Sequence, residues 1–241
     1  MLLRKLDSIA VLGDADRKAI AGLPVRMTDL KHDQDFIRDG DVGQECCLLV
    51  DGFMHRYKVL PDGKRQILAF HTPGDIPDLQ SLLLPNMDHG LAALVPCTVA
   101  FISHQGMRGF LAAHPRVTEA LWRDTLIDAA IFREWLTSMG QRTARGHLAH
   151  LVCEFFTRCR AVGVGSVDSC PFPMTQLEIA DALGLSDVHV NRTITELRND
   201  GLISIQKRTL TILDWPALVA EGQFDPAYLH IRESSGLVSG L

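Results

Sequence analysis

The chain's most specific chemistry sits between Val188 and Thr195. Val188, Asn191, Arg192 and Thr195 stand at i, i+3, i+4 and i+7, so on a helix they share one side. From that side an arginine can fork onto O6 and N7 of guanine. An asparagine can fork onto N6 and N7 of adenine, and a valine can touch a thymine methyl. Each good bidentate contact carries about 1–3 kcal/mol of discrimination between bases. Ser186 opens the same stretch, where a hydroxyl and a helix N-terminus can take a phosphate. His189 lies between them and is counted with the contact residues. Alone, an arginine and an asparagine on a helix also describe an ordinary solvated face, so the flanking elements must decide.

Those elements have the spacing of a helix-turn-helix. Thr175 can cap a helix with Glu178 three residues on, the capping-box pattern. Thr175 is also counted among the residues able to reach DNA. Leu177, Ile179, Ala180 and Leu183 supply a buried side, and Gly184 sits where the chain must turn sharply. Leu185 buries next, Ser186 can cap a second helix, and Val190, Ile194 and Leu197 form its core face. Ala180 is small where two helices cross closely, with Gly184 four residues later and Val190 ten. Asp200-Gly201 then breaks the helix. Two β-prone runs, Leu202–Ile205 and Thr209–Leu213, flank Gln206-Lys207-Arg208. This is a two-stranded wing with a basic turn, so Lys207 and Arg208 either touch the phosphate backbone or form a solvated tip. Residues 141–215 hold eight Lys/Arg against eight Asp/Glu. Non-specific affinity should therefore be modest and strongly salt-dependent.

The N-terminal half reads as β-structure. Turn markers at Asp39-Gly40, Asp51-Gly52, Pro61-Asp62-Gly63 and Pro73-Gly74-Asp75 recur about every 11 residues. Between them lie Cys46–Val50, Phe53–Leu60, Gln66–His71, Leu91–Leu94 and Thr98–Ile102, which together make a small β-barrel or jelly roll. Leu2, Leu6, Ile9 and Leu12 mark an amphipathic helix ahead of it. From His114 to about Gly140 the period becomes helical. Trp122, Leu126, Ala129, Phe132 and Leu136 form one stripe, and Ile127, Ile131 and Trp135 a second. Two apolar stripes need two surfaces to bury them, and a partner subunit can supply one. A further helix spans Arg142 to about Arg160. AVGVGSVDSCPFP is a loop, and the chain after Trp215, ending in SSGLVSGL, is expected to fray.

With 46% hydrophobic and 22% charged residues, and a mean hydropathy of +0.09, the chain is globular rather than disordered. No apolar run approaches the ~18 residues of a membrane span, and the first 20 residues lack a signal-peptide pattern. A cytoplasmic protein with no membrane partner is expected. The net charge of −5 gives no overall pointer to nucleic acid. None of the six cysteines makes a C-x-x-C pair, so free, mostly buried thiols are expected.

A glycine-punctuated barrel (RDGD, LVDGFMHRYKVLPDGKRQILAF, TPGD), a long helix and LEIADALGLSDVHVNRTITELRNDGLI together resemble the Crp/Fnr family of bacterial transcription regulators. The resemblance covers about residues 5–215. It implies an α+β fold with four parts. A cyclic-nucleotide-binding-like sensor barrel (a jelly roll, or double-stranded β-helix) with its N-terminal helix occupies 1–113, and a dimerisation helix 114–140. A winged helix-turn-helix occupies 141–220 and a C-terminal tail 221–241. The resemblance implies a homodimer joined through Trp122, Leu126, Ala129, Phe132 and Leu136. It also implies two recognition helices in successive major grooves of a roughly palindromic duplex, RNA polymerase as a partner, and an effector-binding barrel. The family's recognition positions fall on Val188, Asn191 and Arg192. Relatives often carry Glu or Arg where Val188 stands, so different bases are expected here.

The nucleotide-binding branch of that family holds the cyclic phosphate with a Gly-Glu pair and then an Arg followed by Ser or Thr. Here Pro77-Asp78-Leu79 stands where the Gly-Glu should be, and no Lys or Arg occurs from Gln66 to Met107. A phosphate in a low-dielectric pocket needs a fixed cation or a nest of amides, so cAMP or cGMP is not expected. Asp78, Asp88 and His89 remain as candidate pocket residues for an unknown small molecule. No cofactor, metal site or catalytic residue is expected. An iron–sulfur sensor would need N-terminal cysteines, and none precedes Cys46. Two other classes stay open. One is a cupin-like metal-dependent enzyme with an accessory helical domain, although the G-x5-H-x-H spacing is absent. The other is a protein-interaction module using the wing and second helix.

Overall fold

Turn residues cut the N-terminal chain into short strands, and helical periodicity takes over beyond them. The computed structural model describes residues 1–232. They form two units: residues 1–63 with 68–126, and residues 64–67 with 127 onward.

In the first unit the expected strands are present, with two more ahead of them. They are β1 (Arg26–Leu30), β2 (Asp35–Ile37), β3 (Glu45–Asp51), β4 (Met54–Val59), β5 (Arg65–His71), β6 (Gly90–Ala93) and β7 (Cys97–Ser103). Two sheets result, in the orders β1-β7-β3 and β2-β6-β4-β5. The neighbours pair antiparallel, for example Cys47 with Phe101 and Arg56 with Leu91. Leu30, Cys47, Leu49, Met54, Ala93, Cys97 and Val99 fill the core between them. The Asp51-Gly52 turn requires its glycine. Gly52 has φ +89°, and a Cβ there would stand 2.7 Å from Cys97 Sγ. Helices α1 (Leu2–Ile9) and α2 (Asp14–Ala21) precede the strands and α3 (His104–Ala113) follows them. Lys5 of α1 pairs with Asp75 Oδ1 at 2.8 Å and with Asp124 Oδ1 at 3.3 Å. Asp124, which stands beside the apolar stripes of residues 122–136, thus has a cationic partner.

Helix α4 (Pro115–Gln141) is one continuous 27-residue element. In the second unit α5 (Ala144–Ala161), capped by Thr143, is buried along most of its length. Then come β8 (Ser169–Pro171), α6 (Gln176–Leu183), α7 (Asp187–Asn199), β9 (Ile203–Gln206), β10 (Thr209–Ile212) and α8 (Trp215–Gly222).

Two expectations are corrected here. The wing has three strands, in the order β8-β10-β9, because part of the Gly/Ser-rich stretch read as loop supplies β8. Cys170 of β8 pairs with Leu210, and Cys170 is buried, so the apolar residue inside that loop had a core position to fill. The chain after Trp215 is folded as far as it is described. Asp214 caps α8, which is followed by a 3-10 turn at Pro226–Leu229. A buried polar network fastens this segment. Tyr228 donates to Glu154 Oε2 at 2.9 Å, and His150 Nε2 lies 3.0 Å from the Tyr228 hydroxyl. Trp135 Nε1 donates to the same carboxylate at 3.2 Å. The rest of the expected tail, SSGLVSGL, lies outside the described residues.

All six cysteines are free and buried. Burial pushes the Cys46 thiol up to about 12 and the Cys97 thiol up to about 11. These sulfurs are protonated and poorly nucleophilic at neutral pH.

Candidate nucleic-acid interface

The first helix of the motif is built around its cap. Thr175 Oγ1 accepts from Glu178 N at 3.2 Å, and the Glu178 carboxylate takes the Thr175 amide at 2.7 Å. The Thr175 hydroxyl also donates to that carboxylate at 2.9 Å. Its one proton is therefore used inside the cap, and none is left to donate to a phosphate. Ile179, Ala180 and Leu183 are buried, whereas Leu177 is exposed. The reading of Leu177 as a core residue is thus corrected: two positions before Ile179 it faces the other side of the turn. Gly184 ends α6 in the left-handed region at φ 66°, where only glycine sits without strain.

Ser186 then caps α7, its Oγ accepting from His189 N at 3.3 Å. Its hydroxyl proton remains available for an outside acceptor. Asp187 Oδ1 takes the Val188 amide at 2.8 Å. Val190, Thr193, Ile194 and Leu197 are buried along one face. Val188, Asn191, Arg192 and Thr195 are exposed on the other, and His189 is half-buried. The ridge is already ordered. Asn191 Nδ2 donates to Gln176 Oε1 at 3.0 Å. Arg192 Nε lies 3.7 Å from Glu196 Oε1, a loose i,i+4 pair that leaves most of the guanidinium in solvent. Thr195 Oγ1 donates back to the Asn191 carbonyl at 2.9 Å.

The wing tip is the second basic feature. Lys207 and Arg208 form the two-residue loop between β9 and β10, with φ of 48° and 59°. Two successive left-handed residues match a type I′ hairpin, which normally takes Asn-Gly. Side chains with a Cβ are strained there by about 1–2 kcal/mol each. This chain keeps two exposed cations at the tip despite that cost.

The stripes of α4 separate cleanly. Ile127, Ile131 and Trp135 are buried, while Trp122, Leu126 and Leu136 are 67%, 57% and 72% exposed. Ala129 and Phe132 are half-buried between them, and exposed Met139 extends the ridge. Met139 continues the same three-four spacing and was legible in it.

The three candidate pocket residues do not share one environment. Asp78 is buried in the barrel, its Oδ1 accepting from Cys47 N at 2.8 Å. Burial raises its carboxyl to about 7, against the Cys47 amide and the Arg56 guanidinium, which lower it. Asp88 is exposed and bonds His89 Nδ1 at 2.6 Å, while His89 Nε2 lies 3.3 Å from Gln80 Nε2. The His89 bond holds the Asp88 carboxyl below its usual range. A cation does reach this region, from a strand that precedes the Gln66–Met107 stretch. Arg56 of β4 is buried and donates from Nη2 to the Pro77 carbonyl at 2.7 Å. Among the described residues, no group of three or more His, Cys, Asp or Glu is placed to hold a metal ion.

Comparison with known proteins agrees with this geometry. Residues 146–221 match the family described as a Crp-like helix-turn-helix domain, and residues 28–114 match the cyclic nucleotide-binding domain. The chain is 30% identical over 171 residues to the nitrogen fixation regulation protein FixK of Bradyrhizobium diazoefficiens, covering 71% of this chain and 70% of that one. It is 26% identical over 199 residues to the transcriptional activator protein FnrL of Cereibacter sphaeroides, covering 80% and 78%. Among solved structures, FixK2 from Bradyrhizobium japonicum has a TM-score of 0.74 at 23% identity. That match covers 82% of this chain and 97% of that one, and shows a shared fold.

Proposed function

The chain belongs to the Crp/Fnr family of transcription regulators, and from that premise we propose that its α7 ridge reads DNA as one half of a symmetric dimer. It is a sequence-specific DNA-binding regulator whose residues divide the work. Arg192 and Asn191 read base edges by bidentate contacts, and Val188 packs on a thymine methyl. Thr195 holds the ridge from the next turn. Ser186, Lys207 and Arg208 take phosphates, which position the domain without reading sequence. Thr175 and half-buried His189 support this surface by shaping the helix ends. The observation that carries the reading is the exposure of the Val188–Thr195 face on a helix whose opposite face is buried.

Two copies join through the apolar ridge of α4, from Trp122 through Leu126, Ala129 and Phe132 to Leu136. A two-fold pair of recognition helices then meets half-sites one helical turn apart, about 34–36 Å. The regulator works in the cytoplasm, where its DNA and its further partner, RNA polymerase, are found. No chemistry of its own is assigned to it.

The effector, if the barrel takes one, is not a cyclic nucleotide. At Pro77-Asp78 a phosphate would meet an acidic side chain instead of a cation, and Arg56 is already engaged by the Pro77 carbonyl. Purified protein should show no thermal shift with cAMP; a shift of several degrees would remove this reading.

Selection from random duplex DNA tests the main proposal. We expect a two-fold consensus. Arg192→Ala should flatten preference at one position of each half-site by about 1–3 kcal/mol while leaving the dimer intact. Failure to enrich any sequence, or unchanged specificity in the variant, would refute the groove assignment.

A further inference from the structure

The helix-turn-helix contains one side-chain bond between its two exposed surfaces: Asn191 of α7 donates from Nδ2 to Oε1 of Gln176, 15 residues earlier on α6. Gln176 is the first residue of α6, directly after the capping Thr175. Its backbone is therefore held by the capping box on one side and by buried Ile179 and Ala180 on the other. Resting on the reading of Asn191 as a base reader, we infer that Gln176 is a specificity-determining positioning residue that holds the Asn191 carboxamide in place at the groove.

The chemistry is that of a group with two unlike ends. An asparagine amide offers two N–H donors on one atom and two lone pairs on the other. Rotated by half a turn it fills the same space but presents donor and acceptor in the opposite order. Adenine is read in one order alone, with Oδ1 accepting from N6 and Nδ2 donating to N7. In the reversed order Nδ2 would face the N6 amino group, donor against donor, and Oδ1 would face N7, acceptor against acceptor. Gln176 Oε1 accepts from the nitrogen, and because the Gln176 amide can turn together with that of Asn191, the bond fixes where the carboxamide stands rather than the order of its two ends. One N–H of Asn191 is committed to it. The second N–H and the whole of Oδ1 remain to be presented, which is the set adenine needs. The position of the carboxamide is thus set before DNA arrives, and binding does not have to immobilise it from a freely rotating side chain. Gln176 need not touch a base to have this effect.

The test uses the full-length protein, its selected duplex, and single-base variants of that duplex at every half-site position, read by fluorescence anisotropy. Asn191→Ala comes first. It should flatten preference at one position; if every preference survives, Asn191 reads no base, and both the base-reading assignment and this inference are overturned. Gln176→Leu keeps size and removes the acceptor. It should lower discrimination at that same position about 3–10-fold, part of what a bidentate contact carries, and leave the other positions unmoved. In an Asn191→Ala background the Gln176→Leu effect should vanish. Gln176→Glu keeps an acceptor oxygen. It should retain the preference while weakening binding to all sequences through its charge. If Asn191→Ala acts but Gln176→Leu leaves the preference intact, or weakens all sequences equally, the inference fails and the base-reading assignment stands.

Discussion

Replacing Leu136 by lysine places a charge on the outer ridge of α4 at small cost to the helix. Lysine is a good helix former, and a cation in the last turns of a helix interacts favourably with its dipole. The cost should therefore fall on association. Fully burying a leucine side chain contributes about 1.5–3 kcal/mol, and 72% of Leu136 is available for burial. Each copy then loses about 1–2 kcal/mol by that scale. The interface is two-fold, so the loss counts twice, giving about 2–4 kcal/mol before any repulsion between the two new cations. At 1.4 kcal/mol per tenfold, the dimer dissociation constant should rise at least ~30-fold. Sedimentation across a dilution series reads this directly. The control is Ile131→Lys on the other stripe, which is 5% exposed. It should unfold the second unit by burying an unpaired charge. Leu136→Lys should leave the monomer's circular-dichroism signal unchanged. A Leu136→Lys dimer as tight as the parent would show that the ridge is not the interface, and a collapsed monomer signal would show that Leu136 belongs to the core.

Replacing Lys207-Arg208 by Asn-Gly should raise stability by about 1–2 kcal/mol per relieved residue. It should also lower DNA affinity and reduce the slope of log K against log salt by up to ~2; an unchanged slope would show that the tip makes no phosphate contact. Asp78→Asn isolates a pH effect whose sign follows from the raised carboxyl. The native contribution of Asp78 is fully present below its ordinary range near 4 and is lost as pH rises through about 7. The stability advantage of Asp78→Asn over the parent should accordingly grow from pH 4 to pH 8, by up to about 4 kcal/mol. Taking the difference cancels His147, which burial lowers to about 4 and whose effect runs the other way. A flat difference would mean that Asp78 is not buried as described. Tyr228→Phe removes a hydroxyl that serves both Glu154 and His150. It should destabilise by about 1–3 kcal/mol, the cost of leaving a buried acceptor unpaired, as read by denaturant unfolding; no loss would show the C-terminal segment is not fastened there.

What could be read from residues alone was whatever repeats over a short distance. The α7 ridge follows from steps of three and four, the capping box from a spacing of three, and the barrel strands from turn residues about every 11 positions. Helical and strand periods are set by the local backbone, so no partner from elsewhere in the chain is needed to see them. The same periodicity drew two stripes on α4 without telling which one the fold would cover. Burial did that, enclosing Ile131 and Trp135 and leaving Trp122 and Leu136 outside. The pairings that refine the site join residues far apart in sequence. Gln176 meets Asn191 across a turn, Arg56 reaches Pro77 from β4, and Tyr228 returns to Glu154 over 74 positions. Arg56 stands on β4, ahead of the Gln66–Met107 stretch it reaches, and a Gly/Ser-rich stretch concealed β8 because a strand's partner, here β10, comes about 40 residues later. Hydrogen bonds and ion pairs have no sequence period. They depend on where the packed backbone happens to bring two groups together, and that is known once the chain has folded.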